Sequence, residues 1–196
     1  MELRYLKKFC TRIGTEKYLR PDKVNKLTIL LATSLLLGCT DQPPQANLEF
    51  TAIKRNGNRI EIEFSSDVNL NTLFSENRTQ RQVLSELICS LNGDTNFDFE
   101  HRLEIFSNGR VMNNEISSGN QFIFKSALLF WRSPKNELDS DVMLTNQEVA
   151  GIISKQDTIP CLYRTTVYLA RPYYTKKMHV PTNLLRKVID SGTLQN

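Results

Sequence analysis

The stretch Leu48-Glu49-Phe50-Thr51-Ala52-Ile53-Lys54-Arg55-Asn56-Gly57-Asn58-Arg59-Ile60-Glu61-Ile62-Glu63-Phe64 decides the fold class. Leu48, Phe50 and Ala52 alternate with other residues, and Ile60, Ile62 and Phe64 do so again after Asn56-Gly57. A period of two places one set of side chains in a core and the other in water, which is the signature of a half-buried strand. Asn-Gly supplies the positive φ angles that a tight connection between two such strands requires. The segment is therefore expected to be an antiparallel hairpin.

Asn-Gly recurs at 92–93, after the apolar run 83–91, and at 108–109, between Leu103-Glu104-Ile105-Phe106 and Val111-Met112. Three turns of this kind imply a meandering antiparallel sheet. Residues 121–131 and 161–170 are rich in aromatic and β-branched side chains and read as central strands. Residues 67–82 are polar with scattered Leu and Phe and read as a crossing loop or short helical turn, and 81–88 fits helix or strand equally. Two helices are marked. Thr145-Asn146-Gln147-Glu148 is a capping box ahead of Val149, Ile152 and Ile153, and Pro181-Thr182-Asn183 precedes Leu184 to Ile189 with Gly192 placed to stop the helix. The expectation is a single mainly β domain over 48–192, an antiparallel β-sandwich of immunoglobulin-like shape with one or two short helices.

Composition narrows the class. In 196 residues, 40% hydrophobic and 23% charged content excludes a polar disordered chain and a multi-span membrane protein. The formal charge of +4 is concentrated at one end: eight of the 25 basic residues and three of the 21 acidic ones lie in 1–38, leaving 17 against 18 in the remainder. A near-neutral domain carries no electrostatic footprint for nucleic acid, and none is expected as a partner.

Those basic residues precede Leu27 to Gly38, an apolar stretch too short for the ~20 residues a spanning helix needs. A basic segment, a short apolar one and a small residue make the pattern of a secretory signal peptide. Leu36-Leu37-Gly38-Cys39 resembles the lipobox of bacterial lipoproteins. The resemblance covers about residues 24–42, and it implies cleavage by signal peptidase II before Cys39, whose thiol then carries palmitate-like acyl chains. Leu37 is a less usual choice just before the small residue. The basic segment of 1–38 is also longer than the family's, which points to a start further in, at Val24. Thr40 rather than Asp after Cys39 implies the outer membrane in preference to the inner. Residues 39–47, with Thr40 to Asn47 polar and holding Pro43 and Pro44, read as a tether.

In the oxidising compartment that this address implies, Cys89 and Cys161 are the thiols of the domain, each within an apolar strand-like run. A structural disulfide closing a loop of roughly 70 residues is favoured, worth ~4 kcal/mol in the chain-entropy model, with two buried free thiols as the alternative.

The inventory of reactive groups is thin. His101 and His179 are far apart in sequence, and each reads as an exposed strand histidine. No Gly-x-Ser-x-Gly elbow, Gly-rich phosphate loop or His-Glu-x-x-His is present. Glu137-Leu138-Asp139-Ser140-Asp141 and Asp94-Thr95-Asn96-Phe97-Asp98 have carboxylates at calcium-like intervals but lack the Gly and distal Glu of a calcium loop, so solvated loops are expected, with no metal and no cofactor. The distinctive surface candidate is Arg171-Pro172-Tyr173-Tyr174-Thr175-Lys176-Lys177, where Arg171, Tyr173, Tyr174, Lys176 and Lys177 interleave aromatics with cations and could meet a protein, a glycan or a headgroup layer. The alternative is a strand-end loop whose tyrosines cover the core.

These features together imply a lipid-anchored cell-envelope protein, membrane-bound through Cys39, with a non-catalytic binding or scaffolding β domain whose partner is another envelope protein or a glycan. Two alternatives stand beside it: an exclusion lipoprotein of the phage or mobile-element kind that blocks a surface receptor, and a periplasm-facing enzyme using Asp98, Glu100 or His101.

Overall fold

The computed structural model describes residues 43–74, 82–118, 121–136, 139–167 and 171–191. Segment 1–38, Cys39 and Gly192 lie outside them. Among the described residues, nine strands, β1 (Leu48–Asn56), β2 (Arg59–Ser66), β3 (Gln82–Ser90), β4 (Ile105–Ser118), β5 (Gln121–Arg132), β6 (Val142–Met143), β7 (Thr158–Val167), β8 (Tyr173–Tyr174) and β9 (Met178–Pro181), accompany helices α1 (Asn146–Ile153) and α2 (Thr182–Asp190). Over the described residues the class is as expected: mainly antiparallel β, with two short helices. The layering is not that of two facing sheets. One hydrogen-bonded path runs β1-β2-β5-β4-β3-β7-β8, with β6 added to β5 and β9 to β7.

The β1–β2 hairpin forms as the alternation requires, pairing Phe50 with Phe64, Ile53 with Ile62 and Asn56 with Arg59. Gly57, at φ 59°, provides the left-handed backbone of its two-residue turn. A bulge between Phe50 and Ala52 shifts the register. One extra residue on β1 exchanges its two faces beyond that point, so Ile53 packs against the core where Ala52 was expected.

The other two Asn-Gly pairs are corrections. Gly93 takes a positive φ of 81°, but it opens the long loop 91–104 rather than a tight hairpin. Asn108 and Gly109 lie inside β4, which runs straight through them. Gly109 is there for close approach: a Cβ would sit 2.2 Å from the Ala127 carbonyl oxygen and 2.5 Å from Ser126 Oγ on β5. Asn108 is held by its neighbours. Its amide donates to Glu86 Oε2 (3.1 Å) while its carbonyl oxygen accepts from Trp131 Nε1 (2.9 Å). Arg164 Nε in turn donates to Glu86 at 3.0 Å, so one polar row crosses β7, β3, β4 and β5. A side-chain network with every member paired keeps a turn-forming residue extended. Of the ambiguous segment 81–88, the described residues 82–88 form strand, paired with β4 and β7 on either side and with Leu87 and Cys89 fully buried on one face.

The main core lies on the concave face of the sheet. Ile62, Phe64, Leu87, Phe124, Ile159 and Tyr163 fill it, with Phe64 and Phe124 stacked at 5.7 Å. Helix α1 begins with the expected capping box, Glu148 N donating to Thr145 Oγ1 (3.3 Å) and Thr145 N to Glu148 Oε2 (2.9 Å), and buries Val149 and Ile153. Helix α2 buries Leu185 and Ile189 and packs on α1, β1 and β9. From the crossing segment 67–74, Leu70 and Phe74 enter the same core.

Two contacts roll the sheet toward closure. β1, the first strand of the path, packs on β9 at the other end, and Ala46 O accepts from Lys176 N at 2.9 Å. The two helices and the 67–74 segment complete the cover of this one core, so it needs no second sheet. Residues 44–47, expected to belong to the tether, are therefore part of the domain. Ala46 is 2% exposed, its N–H donates to Tyr173 Oη (2.8 Å), and Asn47 N donates to Asp67 Oδ1 (2.9 Å).

Cys89 and Cys161 face each other in register on β3 and β7 and are joined as a disulfide, 72 residues apart in sequence with Cα atoms 4.0 Å apart.

Candidate functional site

A second, smaller apolar cluster lies on the outer face of the sheet. Ile88, Leu162 and Phe106 rise from β3, β7 and β4, and loop 91–104 covers them with Phe97 and Leu103. The sequence D-x-N-x-D shapes this loop: Asp94 Oδ1 accepts from Asn96 N (2.8 Å), and Asn96 Oδ1 from Asp98 N (3.0 Å). Short polar side chains that bond the backbone two residues on make such turns without any ion. His101 closes the loop, its N–H donating to Asp98 O (2.9 Å) and its Nε2 lying 2.6 Å from Asp94 Oδ2. The Asn96 backbone N–H, then the His101 bond, hold the Asp94 carboxyl below its ordinary pKa.

His101 is thus a loop residue rather than an exposed strand histidine. His179 does sit exposed on β9, with Nδ1 3.5 Å from Thr158 Oγ1.

Beside Phe97 runs a groove of about 390 Å³, with Thr95 to Asp98 on one wall, Lys176 and Lys177 on the other, and Leu162, Tyr174 and Gln45 between them. The expected surface patch divides on meeting this geometry. Tyr173 does not face outward. It is 1% exposed, accepting from Ala46 N and donating to Pro44 O at 2.9 Å, because its phenol ties the 44–46 segment to the β8 edge of the sheet. Burial pushes its pKa up.

Tyr174 points to the opposite face and is half-buried. Burial raises its pKa as well, and its hydroxyl lies toward the Phe99 backbone without a hydrogen bond of normal geometry. Lys176 and Lys177 are exposed, and Lys177 Nζ is 6.0 Å from the Phe97 ring centroid. Arg171 is exposed at the approach to β8. Of the five, Arg171, Lys176 and Lys177 stand at the surface, and Tyr174 forms a wall beneath them.

On the other side of Phe97, a cavity of about 130 Å³ holds His101, Arg102, Ser133 and Asp141. Its groups are mutually engaged: Arg102 Nη2 and Ser133 Oγ both donate to Asp141 Oδ1, at 2.8 and 3.0 Å. Ser133 is bonded to Asp141 and His101 to Asp94, so these two side chains do not pair with each other as a nucleophile and its base. Asp98 and Glu100 are exposed on the loop instead of converging with His101 in a deep pocket.

From the acidic run, Asp139 and Asp141 are described while Glu137 and Leu138 are not. Among the described residues no group of three or more His, Cys, Asp or Glu is arranged to hold a metal, and no helix is long and apolar enough to cross a membrane.

From sequence the loop wall of the groove, Thr95 to Asp98, reads as part of a solvated calcium-like or catalytic stretch and not as a groove wall. Its signal is Phe97, an aromatic between Asx residues, which pins the loop to the sheet. Protein-family models, curated proteins and solved structures give no match to this chain.

Proposed function

We propose that this chain is a lipid-anchored cell-envelope protein, held by acyl chains on Cys39 and placed in the outer membrane, whose β domain binds a partner rather than catalysing a reaction. The observation that carries it is Leu36-Leu37-Gly38-Cys39 at the end of a basic and then apolar segment. Two or three acyl chains, at ~0.8 kcal/mol per buried CH₂, give stable anchoring where a single chain is marginal.

Support comes from the cross-strand Cys89–Cys161 pair, which suits an oxidising compartment, and from the groove beside Lys176 and Lys177, whose exposed cations and half-buried aromatics suit an envelope protein or a glycan.

The test is the intact mass and N-terminal peptide of protein extracted from bacterial membranes, with and without a signal peptidase II inhibitor. An N-terminal acylated Cys39 that disappears with the inhibitor is expected. An unmodified chain retaining residues 1–38 would overturn the proposal.

A further inference from the structure

We infer that the face carrying Phe99, Lys176 and Lys177 docks on the phospholipid surface in which the Cys39 lipid is embedded. The inference rests on the proposed anchor, and starts from where the domain takes hold of the chain. Pro44 O is bonded by Tyr173 and Ala46 is bonded by Tyr173 and Lys176, so the chain is held to the domain at Pro44, five steps from Cys39.

Five steps of extended backbone span at most about 18 Å. A compact domain of this length has a radius of gyration of about 15 Å and a diameter near twice its geometric radius of about 19 Å. The connection is therefore shorter than the domain is wide. Whatever surface surrounds Pro44 and Ala46 is kept next to the headgroups, and the far side of the domain cannot be turned toward them.

The surface around that attachment has the chemistry for the place. Gln45 lies at the groove between Lys176 and Lys177 and the 95–98 loop. The next residue of the loop is Phe99, whose backbone is beside the Tyr174 hydroxyl and whose side chain is 67% exposed, the most exposed large apolar residue described.

An aromatic ring at a loop tip enters the interfacial layer, and lysines beside it meet lipid phosphates, a pairing that membrane-surface proteins use. Lys177 is partly engaged by Phe97 and by the Asp94 carboxylate, which leaves Lys176 as the freer cation. Asp98 and Glu100 are also exposed on the loop, so the contact is with phosphate groups locally rather than a long-range attraction of a basic face.

Trp131 is the only tryptophan, which makes the test direct. Full-length lipoprotein carrying Phe99→Trp with Trp131→Phe is reconstituted into phosphatidylethanolamine/phosphatidylglycerol vesicles with and without brominated acyl chains, alongside the wild type. Intact mass and flotation are read on the same samples.

The expected result is at least twofold quenching of the indole introduced by Phe99→Trp, little quenching of wild-type Trp131, and loss of most of the introduced indole's quenching when Lys176→Glu and Lys177→Glu are added. Phe99 and Lys176 are exposed, so thermal melts of Phe99→Trp and Lys176→Glu should match that of Trp131→Phe alone, while Lys177→Glu, which loses the Phe97 and Asp94 contacts, is expected to melt slightly lower yet stay folded at the assay temperature. Acylated, floating protein whose introduced indole is unquenched, or whose quenching ignores the charge reversal, overturns the docking face and leaves the anchor standing. Protein that is neither acylated nor floating removes the anchor, and this inference with it.

Discussion

Reducing the Cys89–Cys161 bond without changing any side chain isolates one term of the stability. The cysteines are 72 residues apart, and both are fully buried on adjacent strands. In the chain-entropy model, closing a loop of that length removes about 15 cal/mol/K from the unfolded ensemble, or about 4 kcal/mol at 25 °C. With an unfolding entropy of ~2.1 cal/mol/K per residue over a domain of ~150 residues, the melting temperature should fall by ~13 °C.

The assay is a pair of urea melts, one of oxidised protein and one of protein unfolded and refolded in reductant. The reduced form is expected to unfold at lower urea with a larger m-value, because its unfolded chain is more expanded. A Cys89→Ala/Cys161→Ala variant should be weaker still, since two buried sulfur positions are then emptied. Oxidised and reduced forms within ~1 kcal/mol of each other would refute the loop-closure account, and would mean that β3 and β7 already associate in the unfolded chain. Domains have only ~5–15 kcal/mol in all, so a loss of ~4 would leave this one fragile in a reducing compartment.

Tyr173→Phe should cost ~2 kcal/mol in urea melts, because the buried Ala46 N–H loses its acceptor and Pro44 O its donor. Burial raises the Tyr173 pKa, so the neutral phenol's contribution is complete below the unfolded value of about 10 and is lost as pH rises through the folded value; wild-type stability should therefore fall more steeply than that of Tyr173→Phe above pH ~10. Gly109→Ala should cost ~2 kcal/mol or more by thermal melt, since its Cβ must push β4 from the Ala127 carbonyl, whereas Gly151→Ala, where a Cβ meets nothing within 4 Å, should be neutral or stabilising. Glu86→Ala should cost ~2–3 kcal/mol by leaving the Arg164 guanidinium and the Asn108 amide without their acceptor, and a loss below ~0.5 kcal/mol would show that water replaces the carboxylate.

The local elements were legible because their causes are local. The β1–β2 hairpin follows from alternation and one Gly, the α1 cap from Thr145 and Glu148 three residues apart, and the two helices from apolar residues at helical spacing. The capping box needs nothing beyond its own four residues, so the sequence states it completely. Asn108-Gly109 shows where this stops. The same dipeptide leads into the turn at 57–58 but lies inside a strand at 108–109, and what separates them is the Ala127 carbonyl and the Glu86–Asn108–Trp131 row, all distant in sequence.

The proposed binding surface divides along the same line. Composition and order identified Lys176 and Lys177 as exposed cations and the Leu36-Leu37-Gly38-Cys39 pattern as an expected anchor. The tertiary structure decided that Tyr173 is a seam residue, that residues 44–47 belong to the domain, and that loop 91–104 supplies the second wall of the groove.

By itself the sequence determined periodicity, caps, the position of the thiols and the charge asymmetry, since each depends on neighbours along the chain. Only the folded sheet decided which faces were buried, which strand ends met and which tyrosine came to line the groove, because burial and strand approach are set by contacts between residues far apart in sequence.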